Sequence, residues 1–137
     1  MHDVYENPLT TRYASRAMQQ LFSQDTRTIT WRKLWVALAE SEMELGLPVT
    51  QAQVDELKAH ITDIDYDAVA RKEREIRHDV MAHVYAYGLC CPNAKGIIHL
   101  GATSCYVTDN ADVLIYRDAL KLVRAKLLEA VRRLRGF

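Results

Sequence analysis

A chain of 137 residues and 15.7 kDa holds one domain, or one domain and part of another. Hydrophobic residues make up 49% and charged residues 26%, which excludes a disordered chain and suits a packed core without disulfides or metal. Eighteen Lys and Arg are matched by eighteen Asp and Glu, so no global basic excess calls for nucleic acid or a membrane surface. The three cysteines, Cys90, Cys91 and Cys105, are odd in number and contain no C-x-x-C pair. They fit a reducing compartment better than a disulfide framework or a zinc site. Residues 1–6 have no basic or apolar run, so no signal peptide is expected, and no apolar stretch approaches the roughly 20 residues a membrane span needs.

In chain order, Asn7-Pro8 signals a turn, and Thr10 to Ser15 precede a short helical piece from Arg16 to Phe22. Trp31, Leu34, Trp35, Leu38 and Leu45 then follow helical spacing, with Thr28 or Thr30 as the expected cap and Gly46-Pro48 as the stop. Thr50-Gln51-Ala52-Gln53 is a capping-box pattern opening a helix that carries Val54, Leu57 and Ile61. A fourth helix is expected from near Asp65 to near Gly88, with Val69, Ile76, Val80, His83, Val84 and Tyr87 along its inner side. It changes from charged at 71–77 to apolar nearly all round after Asp79, as a helix does when it runs from solvent into an interior. His78 sits at the crossing, almost opposite the inner stripe at 100° per residue.

Residues 89–108, with Pro92, Gly96 and Gly101, read as a connector. From about Asp109 to Arg135 there is no Gly or Pro, and Val113, Tyr116, Leu120, Val123, Leu127, Ala130 and Leu134 alternate steps of three and four. That heptad stripe predicts a bundle helix roughly 40 Å long. The fold class expected is therefore all-α.

Three constellations can carry chemistry. Arg77-His78-Asp79 offers a bidentate fork for a carboxylate or phosphate beside a proton carrier, although a helix-surface salt bridge with a core histidine is the commoner meaning of such a run. Gly101-Ala102-Thr103-Ser104 offers two hydroxyls and backbone N–H groups ahead of a helix, although a plain capping turn is commoner. Arg12-Tyr13 on a loop can grip phosphate, but a lone dipeptide carries little weight. His78 and His83 are five apart and diverge on a helix, so they are no metal pair. His2 and His60 read as surface, Trp31 and Trp35 as core, and the Arg and Lys of 124–135 as the solvated side of the long helix. The cysteines lack a basic partner that would make one a nucleophile.

Taken together and in order, four segments resemble the adenylosuccinate lyase family of the fumarase/aspartase superfamily. They are Thr11-Arg12-Tyr13-Ala14-Ser15, the Thr28 to Trp35 stretch, Arg77-His78-Asp79-Val80-Met81-Ala82-His83, and Gly96 to Asn110 with its Ile-Ile-His-Leu-Gly-Ala-Thr-Ser core. The resemblance implies a helical N-terminal domain over residues 1–108 and the first helix of a central bundle over 109–137, cut short. It implies β-elimination of fumarate from adenylosuccinate, giving AMP, and from the succinylo-aminoimidazole-carboxamide ribotide of purine synthesis. A cytoplasmic enzyme is implied, with a purine nucleotide as its partner, no metal or organic cofactor, and no nucleic acid or membrane.

By motif, Arg12 and Tyr13 match phosphate-side contacts. Arg77, His78 and Asp79 match a second substrate-binding segment in which His78 orients the substrate or assists as an acid. Thr103 and Ser104 match a hydroxyl pair that holds a succinyl carboxylate. The family's main acid and base lie on later segments, and its site is shared between three subunits of a homotetramer. The 137 residues alone are therefore expected to be inactive. A non-catalytic nucleotide-binding or assembly module, and another fumarate-releasing lyase, stand as alternatives.

Overall fold

The computed structural model describes residues 7–137, so His2 lies outside the described residues. Among the described residues the protein is all helical, with no strand. A π-helical turn over Leu9–Tyr13 leads into α1 (Arg16–Leu21), α2 (Gln24–Glu44), α3 (Gln51–Ala59), α4 (Tyr66–Ile76), α5 (Asp79–Cys90) and α6 (Ser104–Leu134). None of these helices is long and apolar enough to cross a membrane. The described residues fall into two compact units: 28–111, and 7–27 together with 112–137.

The capping box of α3 forms as its sequence predicts, with Thr50 and Gln53 each satisfying the other's backbone N–H. Three boundaries differ from expectation. Helix α2 begins at Gln24 because Ser23 Oγ accepts the Thr26 backbone N–H at 3.2 Å; Thr28 and Thr30, the alternative expected caps, stand inside the helix, with Thr28 buried in the core. Helix α6 begins at Ser104, five residues before Asp109. The single helix expected over 65–88 is two helices. Asp65 caps α4, Arg77 turns left-handed at φ 56° to end it, and extended His78 caps α5.

The main core of the 28–111 unit is built from α2, α3, α5, the turns after α5 and the start of α6, while Ala68 and Val69 of α4 form a separate cluster with Ala82 and Ala86 of α5. Trp31, Trp35, Val36 and Ala39 of α2 meet Val54 and Leu57 of α3, Val80, Val84 and Tyr87 of α5, and Val107 and Ala111 of α6. Trp31 and Trp35 are therefore core, and His83 packs its ring edge-on to Trp31 at 5.2 Å. Leu45 falls past this face and is exposed.

The connector after α5 is a run of tight turns. Ala94, Ile97 and Leu100 each donate their N–H to the carbonyl three residues back, and Ala94, Ile97 and Ile98 are buried. The Glu56 carboxylate pins these turns by accepting from the backbone N–H groups of Asn93 and Ala94 at 3.1 and 2.8 Å. Cys91 is buried among them and its thiol is pushed up to about 12 by burial, which leaves it inert as a nucleophile.

Arg32 is a cation inside this core, 1% exposed. Its Nη1 donates to the carbonyls of His60 and Asp63, and its guanidinium lies 4.2 Å from the Tyr87 ring centroid. Tyr87 in turn donates its hydroxyl to the Leu57 carbonyl. One arginine thus ties the end of α3 and the loop after it to α2 and α5.

In the unit of 7–27 and 112–137, Ser15 caps α1 through the Met18 N–H, and the Phe22 and Tyr116 rings lie 6.2 Å apart. The heptad positions Val113, Tyr116, Leu120, Val123, Leu127 and Leu134 are all exposed.

Candidate functional site

The break between α4 and α5 is what builds the site. A continuous helix would carry His78 away from the inner face. With Arg77 left-handed, His78 instead becomes the cap of α5, its Nδ1 accepting the Met81 backbone N–H at 3.3 Å. In the neutral ring the proton is then on Nε2, which lies 3.4 Å from Ser104 Oγ and can donate to it. Ser104 is the first residue of α6. The starts of two helices, of 12 and 31 residues, are therefore joined by one side-chain contact. Each helix start brings the positive end of a dipole, which favours an anion, although at α5 the Val80 and Met81 N–H groups are already received by Asp79 and His78. Thr103 stands exposed one residue earlier, its carbonyl accepting from the Tyr106 N–H at 2.9 Å.

Arg77 and Asp79 flank His78. Arg77 is exposed and borders an open cleft with Ala70, Glu73 and Arg74. Asp79 is exposed, accepts from the Val80 backbone N–H at 2.7 Å, and holds its carboxylate 3.9 Å from His78 Nδ1. The structure thus brings His78 and Ser104 into contact, with Arg77, Asp79 and Thr103 as their chain neighbours. Arg12 and Tyr13 lie in the other unit. There the Arg12 guanidinium sits 5.4 Å from the Tyr13 ring centroid, and Tyr13 lines a cleft with Leu9, Met18 and Phe22. Among the described residues no group of three His, Cys, Asp or Glu side chains could hold a metal.

Two residues beside the clamp were not singled out from sequence. His99 lies five residues before Ser104 at φ 65°, a left-handed conformation uncommon for a side-chain-bearing residue. Its Nδ1 accepts the indole N–H of fully buried Trp35 at 3.0 Å. Burial, and then the nearby charge of His78, hold its pKa below the usual histidine value.

The second is Glu42, near the end of α2. It is buried, and its Oε2 finds no hydrogen-bond partner among the described residues. A Cβ placed on Gly101, itself at φ 65°, would lie 4.0 Å from Glu42 Oε1. Burial raises the Glu42 pKa. A carboxyl whose folded pKa exceeds its unfolded value contributes stability that is fully present below the unfolded pKa and lost as pH rises through the folded one. Glu42→Gln is therefore expected to raise the melting temperature at pH 8, by the equivalent of about 1 kcal/mol, and to flatten its fall between pH 5 and 8. Thermal denaturation across that range checks it; an unchanged pH profile would assign the fall to other groups.

No family model matches the chain. Among curated proteins it is 52% identical over 133 residues to the adenylosuccinate lyase of Schizosaccharomyces pombe, covering 95% of this chain and 28% of that protein. It is 49% identical over 139 residues to the adenylosuccinate lyase of Saccharomyces cerevisiae, covering 99% of this chain and 29% of that one. The adenylosuccinate lyase of Pyrococcus abyssi is 31% identical over 124 residues, again 28% of its length. The chain spans a little over a quarter of the length of the curated relatives it matches. Relatives at about half identity across nearly the whole chain, carrying one name, agree with the four segments and the all-helical fold: the chain belongs to the adenylosuccinate lyase family.

Proposed function

We propose that this chain is the N-terminal part of an adenylosuccinate lyase of the cytoplasm, active in purine nucleotide synthesis, and that it supplies part of the substrate clamp. The enzyme removes fumarate from adenylosuccinate to leave AMP, and from the succinylo-aminoimidazole-carboxamide ribotide. In this reaction a base takes a proton next to a carboxylate, negative charge builds on that carboxylate, and an acid protonates the leaving nitrogen. The observation that carries the reading is the contact between His78 and Ser104, which puts two helix starts beside one place for an anion.

In this reading Thr103 and Ser104 hold a succinyl carboxylate through their hydroxyls and the free N–H groups of the first turn of α6. His78 orients the substrate or assists as an acid through Nε2, while the backbone holds its Nδ1. Arg77 and Asp79 fix the neighbouring part of the substrate, and Arg12 and Tyr13 its phosphate. Groups placed where charge develops stabilise the transition state without reorganising. The main acid and base come from segments beyond these residues, no metal or organic cofactor takes part, and residues 109–137 form the first helix of a bundle that assembles as a homotetramer.

The test is fumarate release from adenylosuccinate by the full-length gene product and by the 137-residue chain. The full-length protein is expected to be active, with His78→Ala slowing it about a hundredfold and Ser104→Ala acting mainly on KM. The 137 residues are expected to release none. Tighter binding of argininosuccinate or aspartate than of adenylosuccinate would move the reading to another lyase. Fumarate release by the 137 residues, lost on changing His78, would place the whole chemistry here.

A further inference from the structure

Beside the Thr103–Ser104 pair lies a carboxyl with an oxygen that nothing receives. Glu42 is 8% exposed, its Oε2 has no hydrogen-bond partner, and no cation pairs with it among the described residues. Such a group is costly to bury, above all when charged. A Cβ on Gly101 would lie 4.0 Å from its Oε1, and Gly101 stands at φ 65° in the turn that leads to Thr103 and Ser104. Three residues of chain span at most about 10 Å, so the carboxyl and an anion on the two hydroxyls stand on the order of 10 Å apart.

The ionisable groups around Glu42 do not offset its charge. On α6, Tyr106 donates its hydroxyl to the Leu34 carbonyl at 2.9 Å, and burial, then Glu42, hold its pKa up and keep it protonated. On α2, Glu40 pairs with Lys58 of α3 at 2.6 Å, and Glu44 is exposed. In the turn, burial and then His78 favour the neutral form of His99, while His78 itself stands at Ser104.

We propose that Glu42 is a proton-uptake site coupled to the clamp: a carboxylate held by Thr103 and Ser104 draws a proton from solvent onto the Glu42 carboxylate. An O–H bond forms on Glu42, and water or buffer gives up the proton. Two negative charges about 10 Å apart at an effective dielectric of about 20 disfavour each other about tenfold. Ionised Glu42 therefore weakens anion binding by that factor, and the bound anion strengthens proton binding to Glu42 by the same factor. Anion affinity is full below the pKa of Glu42 in the free protein. It falls as pH rises through that value and levels off above the higher pKa of the bound form. The proposal rests on the reading of residues 101–104 as a substrate clamp.

Calorimetric titration of the full-length protein with succinate, between pH 5 and 9 in buffers of different ionisation enthalpy, counts the protons taken up. Wild type is expected to take up about half a proton more than Glu42→Gln at the maximum. Protons exchanged by succinate and by His78 occur in both proteins and cancel in the comparison. At pH 9 Glu42→Gln is expected to bind succinate about tenfold more tightly than wild type, a gain that a purely structural role for Glu42 would not give. Glu42→Met removes the same carboxyl and takes the place of glutamine if circular dichroism shows that glutamine disturbs the fold. Equal uptake in wild type and variant, no uptake by the wild type, or no binding of succinate overturns the proposal. The lyase reading fails separately, if the wild type releases no fumarate from adenylosuccinate, because the proton count is read with an anion that does not react.

Discussion

Replacing Arg32 by methionine is expected to lower the free energy of unfolding by about 2 kcal/mol. Arg32 is 1% exposed and its guanidinium pairs with no carboxylate among the described residues; carbonyl oxygens and an aromatic face receive it. Methionine fills a similar volume but takes the guanidinium donor from the carbonyls of His60 and Asp63, which keep only the weaker local contacts of the Asp63 N–H and the Cys90 thiol. It also removes the charge from the Tyr87 ring. Lysine keeps the charge and can donate to the carbonyls, but it lacks the planar guanidinium that lies against the Tyr87 ring, so Arg32→Lys is expected to fall between wild type and methionine. Urea denaturation of the three proteins checks the order. A methionine variant as stable as wild type would mean that the loop of 60–63 relaxes to water when released, and that the buried cation serves register more than stability.

The same arginine marks where sequence reading stops. Trp31 and Trp35 announce a core face by their spacing, and Thr50 to Gln53 announce a helix start by pattern, because both are local and repeat every turn. Arg32, adjacent to Trp31, has no such signature: its burial depends on carbonyls 28 and 31 residues away. The break at Arg77 was hidden for a related reason. No glycine or proline marks it, and the apolar positions on its two sides fit one helical phase. What ends α4 is an arginine in a left-handed turn, followed by a histidine acting as a cap, a role usually taken by Ser, Thr, Asp or Asn.

The site was legible as residues but not as geometry. Arg77, His78, Asp79, Thr103 and Ser104 stand in the sequence as two separate runs. The contact that joins them spans 26 residues, and a single helical phase across Arg77 points His78 away from the face where the break places it. His99 was passed over inside a segment quoted for its other residues, because its meaning lies in Trp35. A histidine near two hydroxyls and two residues before a glycine was the signal available, and it points to no role until the fold supplies the partner.

The exposed stripe of α6 carries the second large expectation. Val113, Leu120, Leu127 and Leu134 are 65%, 69%, 62% and 73% exposed, with Tyr116, Val123, Leu128 and Val131 beside them. Some charged residues of that helix pair locally, Asp118 with Arg117 and Lys121, and Glu129 with Arg133. A contiguous apolar row of this length on a monomer is unusual, and the three-four spacing is what a second helix interdigitates with. Self-association through this face is therefore expected. The double change Leu120→Glu and Leu127→Glu removes two leucines from the seam and sets two charges against it. At roughly 1.5–3 kcal/mol for each buried leucine, association should weaken at least a hundredfold. Size-exclusion chromatography with light scattering reads the result, and circular dichroism reports whether α6 survives the change. An oligomer in the wild type that becomes a helical monomer in the variant fits a bundle seam. A wild-type monomer with an intact α6 would mean that the stripe is satisfied within one copy, and the homotetramer inferred for this protein would have to be built on another face.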